Sequence, residues 1–389
     1  MRFGPRVSLG LLCGLYLAAG TALSGVGPSL AQLALNSGVE IAALGGLFTA
    51  VAGGGVLAQF GAGPLGERAG QRPVLGLGAL LMGLGMLGIS FSIRLDLMLL
   101  CALLAGLGFG CLLAGGNVLA AQLFPTRRAS ALSLLNLCFG LGSILGPTIA
   151  GLAAVRFGIP QAVLWCGAGL LLIQLLLVPG YAEATAPPAR SSLRAAAGIP
   201  ALWLIGLMLL IYTGLEIAIG GWVVELLQRG AAITAAEAAF GATSFWAALT
   251  VGRGLGALLG LRMTPQMLLL ICVIGLIFGA SGLFLAIGNL TAMLAALMLL
   301  GLSCGPIFPS AMAITAFVGR GSSSAASLVL ALGNLGGLGI PALLGVLLVG
   351  SGPPAGALMI LACGLIMSAI LTFLFRLQNT PTQVALAER

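Results

Sequence analysis

Long apolar runs, separated by short clusters of Gly, Pro and charged residues, make up most of this chain. The runs are continuous, unlike the ten-residue alternation of an outer-membrane β-barrel, and each is long enough to cross about 30 Å of hydrocarbon as a helix. The pattern predicts an all-α membrane protein with twelve spans, at residues 8–31, 39–60, 73–92, 96–123, 129–154, 160–179, 201–227, 236–260, 266–286, 290–317, 325–349 and 355–376.

The connecting segments divide into two sets of unequal charge. One set, which includes both termini, holds twelve arginines, and the other holds Arg94, Arg156 and Arg229. Because loops on the cytoplasmic side of a membrane are enriched in basic residues, this difference predicts that both termini lie in the cytoplasm. We therefore expect a multi-pass protein of the cell (inner) membrane.

The spans fall into two similar groups. A polar, Pro- and Ala-rich linker at 180–200 separates a predicted bundle of six helices at 1–179 from a second at 201–376, and a cytoplasmic tail follows at 377–389. Gly106-Leu-x-x-Gly recurs as Gly301-Leu-x-x-Gly, and Pro147-x-x-x-Gly recurs as Pro341-x-x-x-Gly, at nearly equal offsets. The repetition predicts a duplicated six-span unit.

Composition narrows the function classes. The chain is 60% hydrophobic and only 6% charged, and its net charge of +8 comes from single arginines scattered over loops, which argues against nucleic-acid binding. It has no His, its eight Cys show no CxxC spacing, and no cofactor loop or nucleophile–base spacing occurs. Neither an enzyme nor a metal or cofactor site is therefore expected.

One predicted span holds an acid at mid-depth. In the run from Trp203 to Gln228, Glu216 lies roughly 20 Å from either end, and a bare carboxylate there costs at least about 2.5–3.5 kcal/mol. Its side chain should therefore face protein or a water-filled cavity, with Tyr212 beside it. Glu216 either binds a proton or sodium ion as part of the protein's function or bonds permanently to a neighbouring helix.

Other polar side chains are candidates for contact with a solute. The amides of Asn117, Asn136 and Asn334 match pairs of hydroxyls on a solute, and the alternative for each is a hydrogen bond between helices, which suits Asn117 less than the other two. Trp222, after a Gly-Gly pair that allows the helix to unwind, is suited to stack on a ring or to sit at the membrane interface. Trp246 shares a helix face with Arg253, which either snorkels to the cytoplasm or forms a gating pair with an acid.

Two prolines and one loop indicate segments of the protein that can change conformation. Pro306 and Pro309 predict a kink in the tenth span. The loop Gly63-Pro-Leu-Gly-Glu67-Arg68-Ala-Gly70-Gln-Arg72 resembles the cytoplasmic signature of the major facilitator superfamily, with Glu67 in place of the usual aspartate and Gln71 in place of one basic residue. The resemblance implies that this loop, together with Arg127, takes part in an inner gate. The alternative is that the loop is only a tight turn, and that its basic residues reflect the usual enrichment on the cytoplasmic side.

Within that superfamily, several stretches are similar to the fucose permease and sodium-dependent glucose transporter branch, above all Tyr212-x-Gly-x-Glu216 with Gly-Trp222 downstream. The resemblance covers most of the chain and implies two pseudo-symmetric six-helix bundles, a small-molecule solute and a monomer in the lipid bilayer. The chain departs from fucose permeases because span one has no acid and Leu113 occupies the position of the fourth-span acid, which puts fucose in doubt.

Three functions follow as hypotheses. The first is a secondary transporter for a monosaccharide or similar polyol, working by alternating access and coupled to protons or sodium. The second is a proton-driven efflux pump for amphipathic compounds, since Gly142-x-x-x-Gly146-Pro147 resembles an antiporter signature. A non-transporting sensor or scaffold is the third, and it is disfavoured because no additional soluble domain is predicted.

Overall fold

The computed structural model describes residues 3–182, 193–320 and 322–378, and this part of the chain is helical, with no strand. The α-helices are α1 Pro5–Ser37, α2 Gly46–Ala69, α3 Gln71–Phe91, α4 Leu95–Leu123, α5 Arg128–Phe157, α6 Ala162–Leu175, α7 Leu193–Ala197, α8 Pro200–Ala231, α9 Ala235–Leu259, α10 Pro265–Leu285, α11 Leu290–Cys304, α12 Ile307–Val318, α13 Ser323–Asn334, α14 Gly336–Ser351 and α15 Pro353–Gln378. Short 3₁₀ turns precede α2 and α5 and follow α6.

Each of the twelve predicted spans corresponds to helix in the structure. Ten helical segments in the described residues are long and apolar enough to cross a membrane. The remaining two spans are α6, which has 14 residues and is about 21 Å long, and the more polar α9. Spans ten and eleven are each divided between two helices, α11 with α12 and α13 with α14.

The two halves of the chain, α1–α6 and α8–α15, pack their helices in the same order. In the first half α1 packs on α5, α2 on α4, and α3 on α4 and α6. The corresponding contacts in the second half join α8 to α13 and α14, α9 to α11, and α10 to α11 and α15. The architecture is therefore the all-α membrane fold of two pseudo-symmetric six-helix bundles that the sequence predicts.

Glycines set the close helix crossings in both halves. A Cβ atom on Gly142 of α5 would lie 2.0 Å from the carbonyl oxygen of Leu17 in α1, and one on Gly336 of α14 would lie 1.8 Å from that of Leu210 in α8. Since neither backbone oxygen can move away as a flexible side chain could, glycine is required at both crossings.

The two halves meet toward one end of the bundle, called here the distal end, where α1 ends and α2 begins. The Thr49 hydroxyl of α2 donates to the Leu338 carbonyl of α14 at 2.8 Å, and the hydroxyls of Thr148 in α5 and Thr243 in α9 lie 3.1 Å apart. At the opposite, terminal end, where α1 begins and α15 ends, Asn136 of α5 is exposed on the face that turns toward α9. The space between the halves is thus closed distally.

The start of the linker is bound to the first half. The Phe3 amide donates to the Gly180 carbonyl at 2.7 Å, the Ala182 amide donates to the Ser8 hydroxyl at 2.8 Å, and Nε of Arg72 donates to the Tyr181 carbonyl at 2.7 Å. Tyr181 itself is buried. We call this arrangement the linker clasp. Residues 183–192 of the predicted linker and 379–389 of the predicted tail lie outside the described residues.

Candidate functional site

An ion pair joins α8 to α9 at mid-depth. The Nη2 atom of Arg253 lies 2.9 Å from Oε1 of Glu216, and 24% of the Arg253 side chain and 16% of the Glu216 side chain remain exposed. The expectation that Arg253 snorkels to the cytoplasm is therefore wrong, and the alternative of a pair with an acid is correct. A charged group placed in an apolar layer binds the nearest opposite charge, because the pair costs less to desolvate than either ion alone.

Two helix breaks flank this ion pair. The first separates α11 from α12 at Gly305 and Pro306, where a Cβ atom on Gly305 would lie 2.5 Å from the backbone nitrogen of Arg253. The second separates α13 from α14 at Leu335, and the adjacent Gly336 packs on α8 one to two turns before Glu216. Discontinuous helices at mid-membrane are characteristic of transporter binding sites, since they offer unpaired backbone groups to a solute or ion.

Two buried polar groups lie next to the pair: Nε1 of Trp246, which has no hydrogen-bond partner among the described residues, and the Tyr212 hydroxyl, which faces Glu216 and Arg253. Tyr212 precedes Glu216 by one helical turn. The indole ring of Trp246 packs where Gly220 leaves room, one turn after Glu216. A buried donor is usually satisfied, so Nε1 of Trp246 is a group that can gain a partner in another conformation or when a solute binds.

On the other side of the space between the halves, the first half contributes two of the predicted amide side chains. Asn136 of α5 is exposed one turn from Gly140, which packs on Thr250 of α9, so Asn136 lies near the level of Arg253. Its amide nitrogen also donates to the Leu132 carbonyl at 3.0 Å. Asn117 of α4 is exposed as well and accepts a hydrogen bond from the Tyr16 hydroxyl at 3.1 Å. Tyr16 was not among the predicted site residues, because helical periodicity within α1 gives no sign of its partner in α4.

The third amide and the first tryptophan lie elsewhere. Asn334 ends α13 at the helix break and is half-buried. Trp222 is fully buried, and its indole nitrogen donates to the Pro341 carbonyl at 2.8 Å. The predicted unwinding before Trp222 does not occur, since α8 is continuous through Gly220 and Gly221. In this conformation Trp222 packs against Phe48 of the other half, with ring centroids 6.2 Å apart, so its stacking on a solute stays a prediction.

The signature loop forms the turn between α2 and α3. Gly70 has φ +84°, a backbone conformation that favours glycine. Glu67 and Arg68 are exposed, as are Gly63 and Arg127, and neither Glu67 nor Arg68 makes a hydrogen bond or ion pair within the described ranges. Arg72 instead takes part in the linker clasp. Whether these residues act as a gate stays a prediction.

In the described residues, no group of three or more His, Cys, Asp or Glu side chains is arranged to hold a metal ion. The described residues here instead provide one ion pair, one buried donor without a partner and several amides. Such a site can bind a neutral polar molecule or a small ion.

Comparisons with known proteins find relatives that are named as transporters. The human sodium-dependent glucose transporter 1 is 24% identical over 377 residues, which cover 87% of this chain and 73% of the relative. The zebrafish (Danio rerio) protein of the same name is 25% identical over 379 residues, and the match spans 64% of its length. A 4-hydroxybenzoate transporter, PcaK of Acinetobacter baylyi, is 28% identical over 158 residues, or 40% of this chain and 34% of the relative.

A solved structure of the nucleoside transporter NupG, in a mutant form, superposes with a TM-score of 0.79 at 12% identity, covering 96% of this chain and 100% of that one. This likeness shows the fold. The family model described as Major Facilitator Superfamily matches residues 12–225, more than half of the chain. The family and these relatives are transporters and not enzymes. This multi-pass membrane protein therefore belongs to the Major Facilitator Superfamily.

Proposed function

We propose that this transporter carries a monosaccharide or similar polyol across the inner membrane by alternating access between its two halves. The observation that supports this most directly is the Glu216–Arg253 pair, which lies at mid-depth, keeps exposed surface and is flanked by two helix breaks. A site of this kind is reached from one side at a time when the halves rock against each other.

The chemistry of the surrounding groups favours a polyhydroxyl solute. Asn117, Asn136 and Asn334 offer both donors and acceptors, while Tyr212 and Trp246 add donors on rings that also present apolar faces. A sugar has hydroxyl pairs along its edge and apolar C–H faces, which these groups complement. Two of the relatives in the comparison are named glucose transporters, which further supports a sugar.

Glu216 is the proposed coupling residue. In the present conformation Arg253 neutralises it, so a proton or sodium ion that binds Glu216 competes with the guanidinium. Releasing Arg253 frees the Nη2 donor that Glu216 holds and makes it available to the solute, which links ion binding to solute binding. The relatives' names point to sodium as the first ion to test.

The proposed orientation places both termini in the cytoplasm, because twelve arginines against three favour that side. The halves meet at the distal end, so the gap between them then opens to the cytoplasm. The exposed Glu67 and Arg68 fit this assignment, since a latch at the cytoplasmic end is released when that end is open. We treat the signature loop and Arg127 as gating residues on this basis.

A carboxylate solute is the second candidate. The stretch that matches PcaK covers 40% of the chain, and Arg253 with two neighbouring aromatic rings would suit an aromatic acid. The third candidate, efflux of amphipathic compounds, has less support here. Gly142 and Gly146, which resemble an antiporter signature, pack closely against α1 and are explained by that packing.

Uptake by purified protein in liposomes tests these candidates. Labelled glucose and other monosaccharides, 4-hydroxybenzoate and a lipophilic cation are offered under imposed sodium or proton gradients. Inward accumulation of a sugar supports the proposal. Accumulation of the aromatic acid alone, or export of the cation alone, contradicts it in favour of the corresponding alternative.

The coupling role has its own test. Glu216→Gln should abolish accumulation against a gradient while preserving exchange of labelled for unlabelled sugar, because the solute site persists and only the ion site is lost. Glu225→Gln is the matched control, since Glu225 lies on the same helix in a pair with Arg229 near its distal end. Unchanged accumulation by Glu216→Gln contradicts the coupling role and leaves the sugar assignment intact.

A further inference from the structure

Tyr16 and Asn117 form a hydrogen-bonded pair between α1 and α4. The Tyr16 ring is buried, and it packs against Gly116, where a Cβ atom would lie 2.7 Å from the ring. Its hydroxyl lies 3.1 Å from Oδ1 of Asn117 and 3.3 Å from the carbonyl oxygen of Leu113. Asn117 is exposed, so one member of the pair is held in the core while the other faces the open space.

The Tyr16–Asn117 pair lies beside the space between the two halves. α1 contacts α8 and α9 of the second half as well as α4, so the side of α4 that turns toward α1 also turns toward the space between the halves. Along its length α1 carries Arg6 near its start and no other charged residue, and the only charged residue in α4 is Asp96, in its first turn. Recognition on this side of the gap therefore depends on neutral hydrogen-bonding groups.

The hydroxyl of Tyr16 has a single hydrogen, and its shorter contact is with Oδ1 of Asn117. With that oxygen engaged, the amide nitrogen is left as the free end, and it has no partner among the described residues. A buried aromatic hydroxyl, on a ring held against Gly116, can thus set which end of an exposed amide a solute meets.

We propose that Tyr16 is a positioning residue that holds the Asn117 amide with its nitrogen toward the solute, so that the first half donates a hydrogen bond to one oxygen of the sugar. This inference rests on the proposed function, because it assigns a specificity role within the same site. The oxygen concerned must act as an acceptor, so a deoxy analogue that lacks it loses the contact.

A double-mutant cycle tests the pairing. Tyr16→Phe removes only the hydroxyl and should raise the KM for sugar uptake roughly tenfold with little change in the maximal rate, which corresponds to about one hydrogen bond. Asn117→Ala should have a similar effect, and the double variant should be no worse than Asn117→Ala alone. Tyr16→Phe combined with Asn136→Ala is the matched control, and these effects should multiply.

A deoxy-sugar series separates positioning from a structural role. The unmodified protein should discriminate against one deoxy analogue about tenfold, and Tyr16→Phe should lose most of that discrimination while its melting temperature in detergent stays close to that of the unmodified protein. Multiplicative effects of Tyr16→Phe and Asn117→Ala, or an unchanged deoxy-sugar ratio, overturn the inference.

Different results would contradict the proposed function and the proposed role of Tyr16. Absence of uptake of every sugar by the unmodified protein contradicts the proposed function. The same cycle is then run on whichever compound of the uptake panel is transported, where independent effects of the two substitutions overturn the pairing.

Discussion

Glu216 and Arg253 show what a single charged side chain requires inside a membrane. The sequence identifies Glu216 as an acid at mid-depth and places Arg253 on a helix face with Trp246, but it does not show that the two residues meet. They lie 37 positions apart on antiparallel helices, and spacing within one helix gives no information about the rotation of its neighbour. The cost of an unpaired charge supplies the physical reason for their contact.

Removing one member of this pair should therefore cost more than removing both. We expect Arg253→Met to lower the free energy of unfolding by about 1–3 kcal/mol, which is less than for a fully buried pair because both side chains keep some exposure. Glu216→Gln combined with Arg253→Met should recover most of this loss. Thermal unfolding in detergent measures both.

Arg94→Gln is the control for this experiment, since Arg94 pairs with Asp96 in the connection between α3 and α4 and 74% of its side chain is exposed. Its effect on stability should be small, because water screens a pair that is this exposed. An Arg253→Met protein that is as stable as Arg94→Gln would show that the membrane-embedded pair contributes nothing to stability.

At the scale of elements, the sequence predicts some irregularities and misses others. Pro306 and Pro309 predict a kink in the tenth span, and the helix does break there, between Cys304 and Ile307. The break at Leu335 has no proline at the site, and the surrounding glycines suit close packing as well as a break, so sequence alone does not separate the two. In the folded protein, Gly336 lies directly after the break and also packs closely on α8, so this glycine serves both purposes.

The turn between α2 and α3 gives a prediction at this scale. Gly70→Ala should destabilise the protein by about 1–3 kcal/mol, because φ +84° with ψ 175° is a conformation that a residue with a Cβ atom rarely adopts. Gly63→Ala, inside α2 with nothing within 4 Å of its added Cβ, should be neutral or stabilising by up to about 1 kcal/mol. Equal melting temperatures for the two variants would show that the turn is not under this constraint.

For the whole molecule, hydropathy and the repeat were sufficient to predict the helical membrane fold, because a bilayer leaves few alternatives to closed helices. The sequence did not predict which end of the bundle is closed. That depends on contacts between distant segments, such as Thr148 with Thr243, and both residues look like ordinary polar positions in apolar runs. Alternating access also requires that this closure be reversible, so no sequence pattern specifies one state alone.

The distal closure depends on the approach of α1 to α8. A Cβ atom on Gly27 would lie 2.5 Å from the carbonyl oxygen of Gly221, so Gly27→Leu should separate the halves at this end and favour conformations that are open there. With the eight native cysteines replaced by serine, a Thr49→Cys probe should then react faster with an impermeant maleimide added from the distal side.

Gly10→Leu is the matched control on the same helix, because a Cβ atom on Gly10 would have nothing within 4 Å. This variant should leave the reactivity of the probe at position 49 unchanged. If Gly27→Leu also leaves the reactivity unchanged, the contact between α1 and α8 does not hold the distal end closed.

The linker clasp has a mechanical consequence for the complete transporter. The linker that joins the halves is bound to the first half as far as Ala182. Arg72, at the start of α3, donates a hydrogen bond to the carbonyl of the preceding residue, Tyr181. If the second half moves as the proposed function requires, these contacts connect its motion to the start of α3, next to the turn that carries Glu67 and Arg68. The anchor of the linker and the signature loop thus meet at the start of α3, so a substitution of Arg72 alters both at once.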